Sequence, residues 1–275
     1  MDQLKKVQER ITSLDELKGI FRAMRVMAAS HVHQSQAGLE AARHYSQMIE
    51  IAISRATPLM PGHAAPMGDI NGDSGQIIAV CSEHGFVGGL NEKVLDQAKK
   101  SMSDGNKLLI LGQRGLNLAD EHGLEVKWFH TMPTGVAGIP ETVTALLRVL
   151  DLAQNVRIIF ARYLQGGQYI IDDLELVPIE TPQNITTPDN NVPPMHHLPP
   201  AQLIQQLLTE YLFAKLALSL IEALASESAA RLQIMLQADV NIDRKLDVLT
   251  RERRARRQEA ITSELLDVVA GSEAF

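Results

Sequence analysis

Four things are scarce in this chain, and each narrows what it can be. Aromatic residues make up only 4% of its 275 residues, fewer rings than a compact globule of this size usually buries. It has one cysteine, Cys81, so an intrachain disulfide is impossible and a reducing compartment is expected. No run of about 18 apolar residues occurs, so no membrane-spanning helix is expected. The N-terminus, Met1-Asp2-Gln3-Leu4-Lys5-Lys6, has neither the apolar core of a signal peptide nor the acid-poor composition of a transit peptide. Net charge is −7, which argues against a general attraction to nucleic acid or anionic lipid.

Helix breakers are scarce only at the ends. All 12 prolines lie from Pro58 to Pro200, and of the 18 glycines only Gly19, Gly38 and Gly271 fall outside that interval. Proline inside a helix costs roughly 3 kcal/mol. Residues 1–57 and 200–275 can therefore be long helices. At the N-terminus the apolar spacing runs Leu4, Val7, Ile11, Leu14, Leu17, Ile20, Met24, Met27 and His31, with a compressed, stammer-like stretch at Leu14-Leu17-Ile20. At the C-terminus Leu207, Tyr211, Ala214, Leu218, Ile221, Ala225, Ser228, Leu232, Met235, Asp239, Ile242, Leu246 and Leu249 follow a 3.5-residue repeat. The two ends are expected to pair as one antiparallel coiled coil. The bland alternative is two helices of an all-α bundle, but the middle of the chain is too poor in helix to complete one.

The middle alternates. Strands are expected at Gln76–Cys81, Lys107–Leu111, Glu125–Phe129, Val156–Leu164 and Gln168–Val177, the last two joined at Gly166-Gly167. Helices are expected from Leu90, with Asn91 as N-cap and Leu90 with Leu95 as a staple, from Gln113 to His122, and from Glu141 to Ala153. This alternation implies a parallel sheet closed by an antiparallel hairpin. Extended linkers are expected at 58–75 and from Pro178 to Pro200. The fold class is α/β: a Rossmann-like domain over 76–178, inserted between coiled-coil helices over 1–57 and 200–275.

Motifs for chemistry are weak. Gly85-Phe86-Val87-Gly88-Gly89 sits at a strand-to-helix turn, where phosphates bind in dinucleotide folds, but the spacing is not G-x-G-x-x-G. No phosphate-binding loop of the G-x-x-x-x-G-K-[ST] type occurs. Cys81 and His84 could be a nucleophile pair, but Cys81 ends an apolar strand and burial is the expected reading. No catalytic residue, metal site or cofactor is expected. Arg244–Arg257 is the sharpest local feature, with seven basic residues against Asp247 and Glu252. Arg253 and Arg256 continue the apolar seam beyond Leu249. The pairing is therefore expected to open near Leu249, leaving a lone helix that shows its arginines to an acidic partner. Without interleaved aromatics, nucleic-acid binding is the weaker reading of this patch. A second reading of the whole chain is a small-ligand-binding α/β domain with a helical dimerisation stalk.

Several segments resemble the gamma subunit of F-type ATP synthases. Ile20–Ser30 (IFRAMRVMAAS) is similar to that family's Lys-Ala-Met followed by Met-Val-Ala-Ala-Ser. Cys81–Asn91 (CSEHGFVGGLN) is similar to its Asp-Arg-Gly-Leu-Cys-Gly-Gly-Leu-Asn. Leu224–Arg231 (LASESAAR), and Arg257–Glu264 (RQEAITSE) with Leu265-Leu266, resemble its last helix. The resemblance implies a central-stalk rotor whose coiled coil enters a hexamer of alpha and beta subunits. The foot would bind the epsilon subunit and the membrane c-ring, and ATP chemistry would belong to beta. It implies hexamer contacts at Arg22, Met24 and Arg25 in the first helix, and at Arg257, Gln258 and Thr262 in the second. Arg253, Arg254 and Arg256 would join them as a basic collar. Glu83, His84, Gly85, Gly88, Gly89 and Asn91 would form the foot's turn. The implied location is the cytoplasmic face of a bacterial inner membrane, held peripherally without insertion. Glu83-His84 stand where the family has Asp-Arg, Val87 where it has cysteine, Arg253-Arg254 where it has Tyr-Asn, and His31-Val32-His33 where it has Lys-Leu-Arg. These departures read as those of a divergent bacterial branch.

Overall fold

The computed structural model describes residues 2–59, 75–103, 105–164, 166–179 and 195–272. Both expected linkers lie largely outside them. The chain forms two compact units, one drawn from residues 1–28 and 232–275 and the other from 29–231. Helices α1 (Asp2–Ala56) and α5 (Pro200–Ser272) each contribute to both.

The larger unit is built on a five-stranded sheet. Its strands are β1 (Gly75–Val80), β2 (Lys107–Leu111), β3 (Val126–His130), β4 (Asn155–Tyr163) and β5 (Tyr169–Val177), in the order β3-β2-β1-β4-β5. The first four are parallel and β5 runs antiparallel to β4. Gly166 and Gly167 at the hairpin both have positive φ, 82° and 79°, a backbone region that glycine enters without steric cost. Helices α2 (Leu90–Ser101), α3 (Gln113–Glu121) and α4 (Ile139–Val149) connect the parallel strands. β1 is buried at every position, as a central parallel strand covered on both faces must be.

Each face of the sheet has its own core. Ile77, Ala79, Leu108, Ile110 and Ile159 pack against α2 and α3. Ile78, Val80, Leu109, Leu111 and Ile158 pack against α4 and against the parts of α1 and α5 in this unit. Residues 219–230 of α5 are all buried, round the whole circumference of the helix. The small side chains of Ala223, Ala225, Ser226, Ser228, Ala229 and Ala230 permit this close approach, and the Ser226 hydroxyl donates to the Ala161 backbone oxygen at 2.8 Å. A close approach also explains Gly115. A Cβ there would meet the Cys81 Cβ at 2.4 Å.

The smaller unit is the paired ends of α1 and α5. The seam on α1 runs Leu4, Val7, Ile11, Leu14, Lys18, Phe21, Arg25 and Ala28, all buried or half-buried. Steps of three and four alternate without interruption, so the expected stammer is absent. Leu17, Ile20 and Met27, placed in the seam by their hydrophobicity, are 43%, 56% and 57% exposed. Lys18 and Arg25 take the seam positions because each meets an acid of α5: Lys18 bonds Asp243, and Arg25 Nη1 lies 2.8 Å from Asp239 Oδ2. The expected α5 positions Leu232, Met235, Asp239, Ile242, Leu246 and Leu249 are all buried or half-buried.

Candidate functional site

In the smaller unit, pairing does not stop at Leu249. Arg253 Nη1 donates to Gln8 Oε1 at 3.0 Å, and Arg256 donates to Gln3 Oε1 and, at 3.0 Å, to Glu252 Oε1. A guanidinium in the seam is tolerable here because amide oxygens accept its protons. The lone part of α5 therefore begins after the layer at Gln3, where α1 itself begins. Beyond it Gln258, Ile261, Thr262, Leu265 and Leu266 are exposed, and the Thr262 hydroxyl donates back to the Gln258 carbonyl at 2.9 Å.

The expected contact residues thus divide. Arg25, Arg253 and Arg256 spend hydrogen bonds inside the helix pair. Arg22, Arg254, Arg257, Gln258 and Thr262 are exposed, and Met24 is half-buried. Arg251 is exposed as well. Farther along the pair, Glu9, Arg10, Arg244 and Lys245 line a groove with the apolar side chains of Leu14, Val248 and Leu249. The exposed guanidinium and ammonium groups, set among exposed acids such as Glu9 and Asp247, can each bond a carboxylate.

In the larger unit, the turn between β1 and α2 lies beside the point where strand order reverses, between β1 and β4. Ligands of open α/β sheets gather at such a point. Here the turn is held by the chain's own side chains. The Glu83 carboxylate Oε2 accepts the backbone N–H of Gln113, at 3.1 Å, and of Met132, at 2.9 Å. It thereby satisfies a free donor at the start of α3. Asn91 is not the N-cap of α2. Gly89 takes that position with no side-chain bond. The Asn91 amide instead turns back to Ser82, accepting its backbone N–H and donating to its hydroxyl oxygen, both at 2.9 Å. Phe86 stands in the left-handed region at φ 64° and is 55% exposed; Gly88 follows at φ 61°.

Arg231 of α5 closes the turn. It donates to the carbonyl oxygens of His84, at 3.1 Å, and Gly85, at 3.2 Å, and to Glu227 Oε1 at 2.6 Å. The loop thus presents carbonyls to a cation, the reverse of a phosphate cradle, which presents N–H groups. Burial pushes the Glu227 carboxyl up, opposed by Arg231. Burial also raises the Cys81 thiol, as do Glu227 and Glu92, so the thiol stays neutral and is a poor nucleophile. Arg231 and Glu227 are absent from the expected contacts. Their signal in the sequence is an acid–base pair four residues apart at the end of a run of small residues.

Among the described residues, no group of three His, Cys, Asp or Glu side chains could hold a metal ion, and no helix is long and apolar enough to cross a membrane.

A family model described as ATP synthase matches residues 3–275. The ATP synthase gamma chain of Erythrobacter litoralis is 26% identical over 291 residues, covering 100% of each chain. That of Moorella thermoacetica is 25% identical over 288 residues, again covering 100% of each. Among solved structures, a chain of the Euglena gracilis mitochondrial ATP synthase assembly of OSCP, F1 and c-ring superposes with a TM-score of 0.67 at 12% identity, covering 99% of this chain and 94% of that one.

Proposed function

The chain belongs to the ATP synthase family as a gamma chain, and from that premise we propose how its residues serve the central stalk. The gamma subunit is the rotor element of that stalk and is not itself the catalyst. The paired ends of α1 and α5 turn inside the alpha–beta hexamer, and nucleotide chemistry takes place on beta. The sorting of the basic residues is the observation that carries this reading. Arg25, Arg253 and Arg256 hold the helix pair together, while Arg22, Arg251, Arg254 and Arg257 leave their charge on its surface. The exposed set, with Gln258 and Thr262, grips acidic segments of the hexamer through charge-assisted hydrogen bonds. Met24 adds an apolar contact.

The turn from Glu83 to Asn91 belongs to the foot. Arg231 and Asn91 stiffen it so that exposed Phe86 can be presented to a partner. The foot domain, 76–178, meets the epsilon subunit and the membrane c-ring, which places the protein peripherally on the cytoplasmic side of a bacterial inner membrane.

Co-expression with alpha and beta subunits tests the core of this reading. A single copy per alpha–beta hexamer is expected, with ATP hydrolysis that depends on the chain. A stable species that never enters the hexamer defeats it.

A further inference from the structure

Glu222 of α5 is a buried acid that neither the helix pair nor the β1–α2 turn employs. It is 4% exposed. One oxygen, Oε1, accepts from Arg43 of α1, from Nη2 at 2.9 Å and Nε at 3.3 Å. The other, Oε2, is buried with no hydrogen-bond partner. The charged groups that face it come from three other elements: Arg43 from α1, Arg162 from β4 and Asp172 from β5. The last two are themselves paired at 3.2 Å. The Arg43 side chain is 51% exposed and also lines a cavity of about 640 Å³ with Gln36, Glu40, His44 and Tyr163. At its wall Gln36 donates to the Tyr163 hydroxyl oxygen at 2.7 Å.

A buried carboxylate with half its acceptors unused is poorly compensated for the water it has lost. Burial accordingly pushes Glu222 up, against the opposing pull of Arg43. The folded chain thus takes this proton more readily than the unfolded chain does. As pH falls, Glu222 neutralises inside the fold, and stability is not lost through this group. Asp173 of β5 has the opposite sign. Burial raises it, but hydrogen bonds from Ser101, Arg157 and Gln97 outweigh that and lower it. It therefore stays charged, and keeps α2 fastened to the sheet, while Glu222 protonates.

Once Glu222 is neutral, Arg43 keeps only a neutral acceptor, and charge-assisted bonds are roughly twice as strong as neutral ones. Half its side chain already reaches solvent, so leaving costs little desolvation. We propose that Arg43 and Glu222 form an acid-released clasp, fastening α1 to α5, whose release frees the wall that Arg43 contributes to the adjoining cavity. Nothing in this depends on the hexamer.

Amide hydrogen exchange on the full-length chain tests it, followed in segments covering residues 36–44. After correction for intrinsic chemistry, exchange there should be about tenfold faster near pH 5 than near pH 7.5, the size expected for losing a hydrogen bond to a charged group. Glu222→Gln, which keeps the shape and removes the charge, should exchange fast at both pH values. Arg43→Met should do the same, and gives a second test if the glutamine variant folds poorly. Wild-type exchange that follows intrinsic chemistry alone overturns the proposal. So does a pH step that survives in either variant.

Discussion

Arg25 and Asp239 meet at 2.8 Å across the helix pair, at seam positions whose neighbours are Phe21, Ala28, Met235 and Ile242. Their side chains are 35% and 16% exposed, and Asp239 Oδ1 is buried without a hydrogen-bond partner. An incompletely satisfied pair in such a place costs desolvation, yet removing one member strands the other.

Arg25→Leu should therefore destabilise the chain by about 1–3 kcal/mol. The double variant Arg25→Leu with Asp239→Leu should recover that loss, since a packed apolar layer replaces the pair. Urea unfolding of the two variants and of Asp239→Leu completes the cycle. A double variant no more stable than the worse single one would refute the coupling.

Charge reversal separates the two sets of arginines. Arg254→Glu with Arg257→Glu touches exposed positions only and should shift stability by less than about 0.5 kcal/mol. It should still lower ATP-driven turnover of the assembled complex. Arg256→Glu should instead weaken the isolated chain, because it loses Gln3 and places a second acid beside Glu252. Parallel melting and turnover measurements read both effects. Unchanged turnover in the first variant counts against a surface role for these residues.

The sequence made the sheet legible because its edges are punctuated. Lys107–Leu111 is reproduced as expected, and the other strands agree to within about a residue. The seam of α1 was harder. Leu17, Ile20 and Met27 lie on the exposed outer face, while Lys18 and Arg25 face inward. Their partners Asp243 and Asp239 lie more than two hundred residues away in the chain, where no local pattern reveals them. A second reason applies at Asn91: its partner Ser82 is only nine residues away, but the folded turn, not the residue type, decides that the amide turns back to Ser82 instead of capping α2. Arg231 was hidden for a third reason. Its acceptors are backbone carbonyls, which every residue carries and no composition shows.

Asp173 supplies a pH prediction. Its carboxyl is lowered on balance, so it contributes stability above the ordinary aspartate range. That contribution is lost as pH falls through the lowered folded value. Asp173→Asn should cost about 1–3 kcal/mol near neutrality and flatten the acid limb of the stability profile. An acid limb as steep as that of the wild type would remove Asp173 from the account.

Gly115→Ala should destabilise by about 1–3 kcal/mol through overpacking, measured as a lower urea midpoint. Cys81→Ala should not rescue it, because the 2.4 Å contact is with the Cys81 Cβ, which alanine retains. Rescue by that change would mean that the sulfur, at 2.6 Å, was the true obstacle.

The buried stretch of α5 has a mechanical consequence. Within residues 219–230 no face of the helix is free to slide, since every position is packed. Turning the helix about its own axis there would pull Ser226 from the Ala161 carbonyl and Glu222 from Arg43. Arg231, one residue on, would leave the β1–α2 turn. Torque applied to the part of α5 that lies in the larger unit is therefore taken up at this keyed segment. The small residues that let the backbone come close are the teeth of the key, and a larger side chain at any of them would jam or strip it.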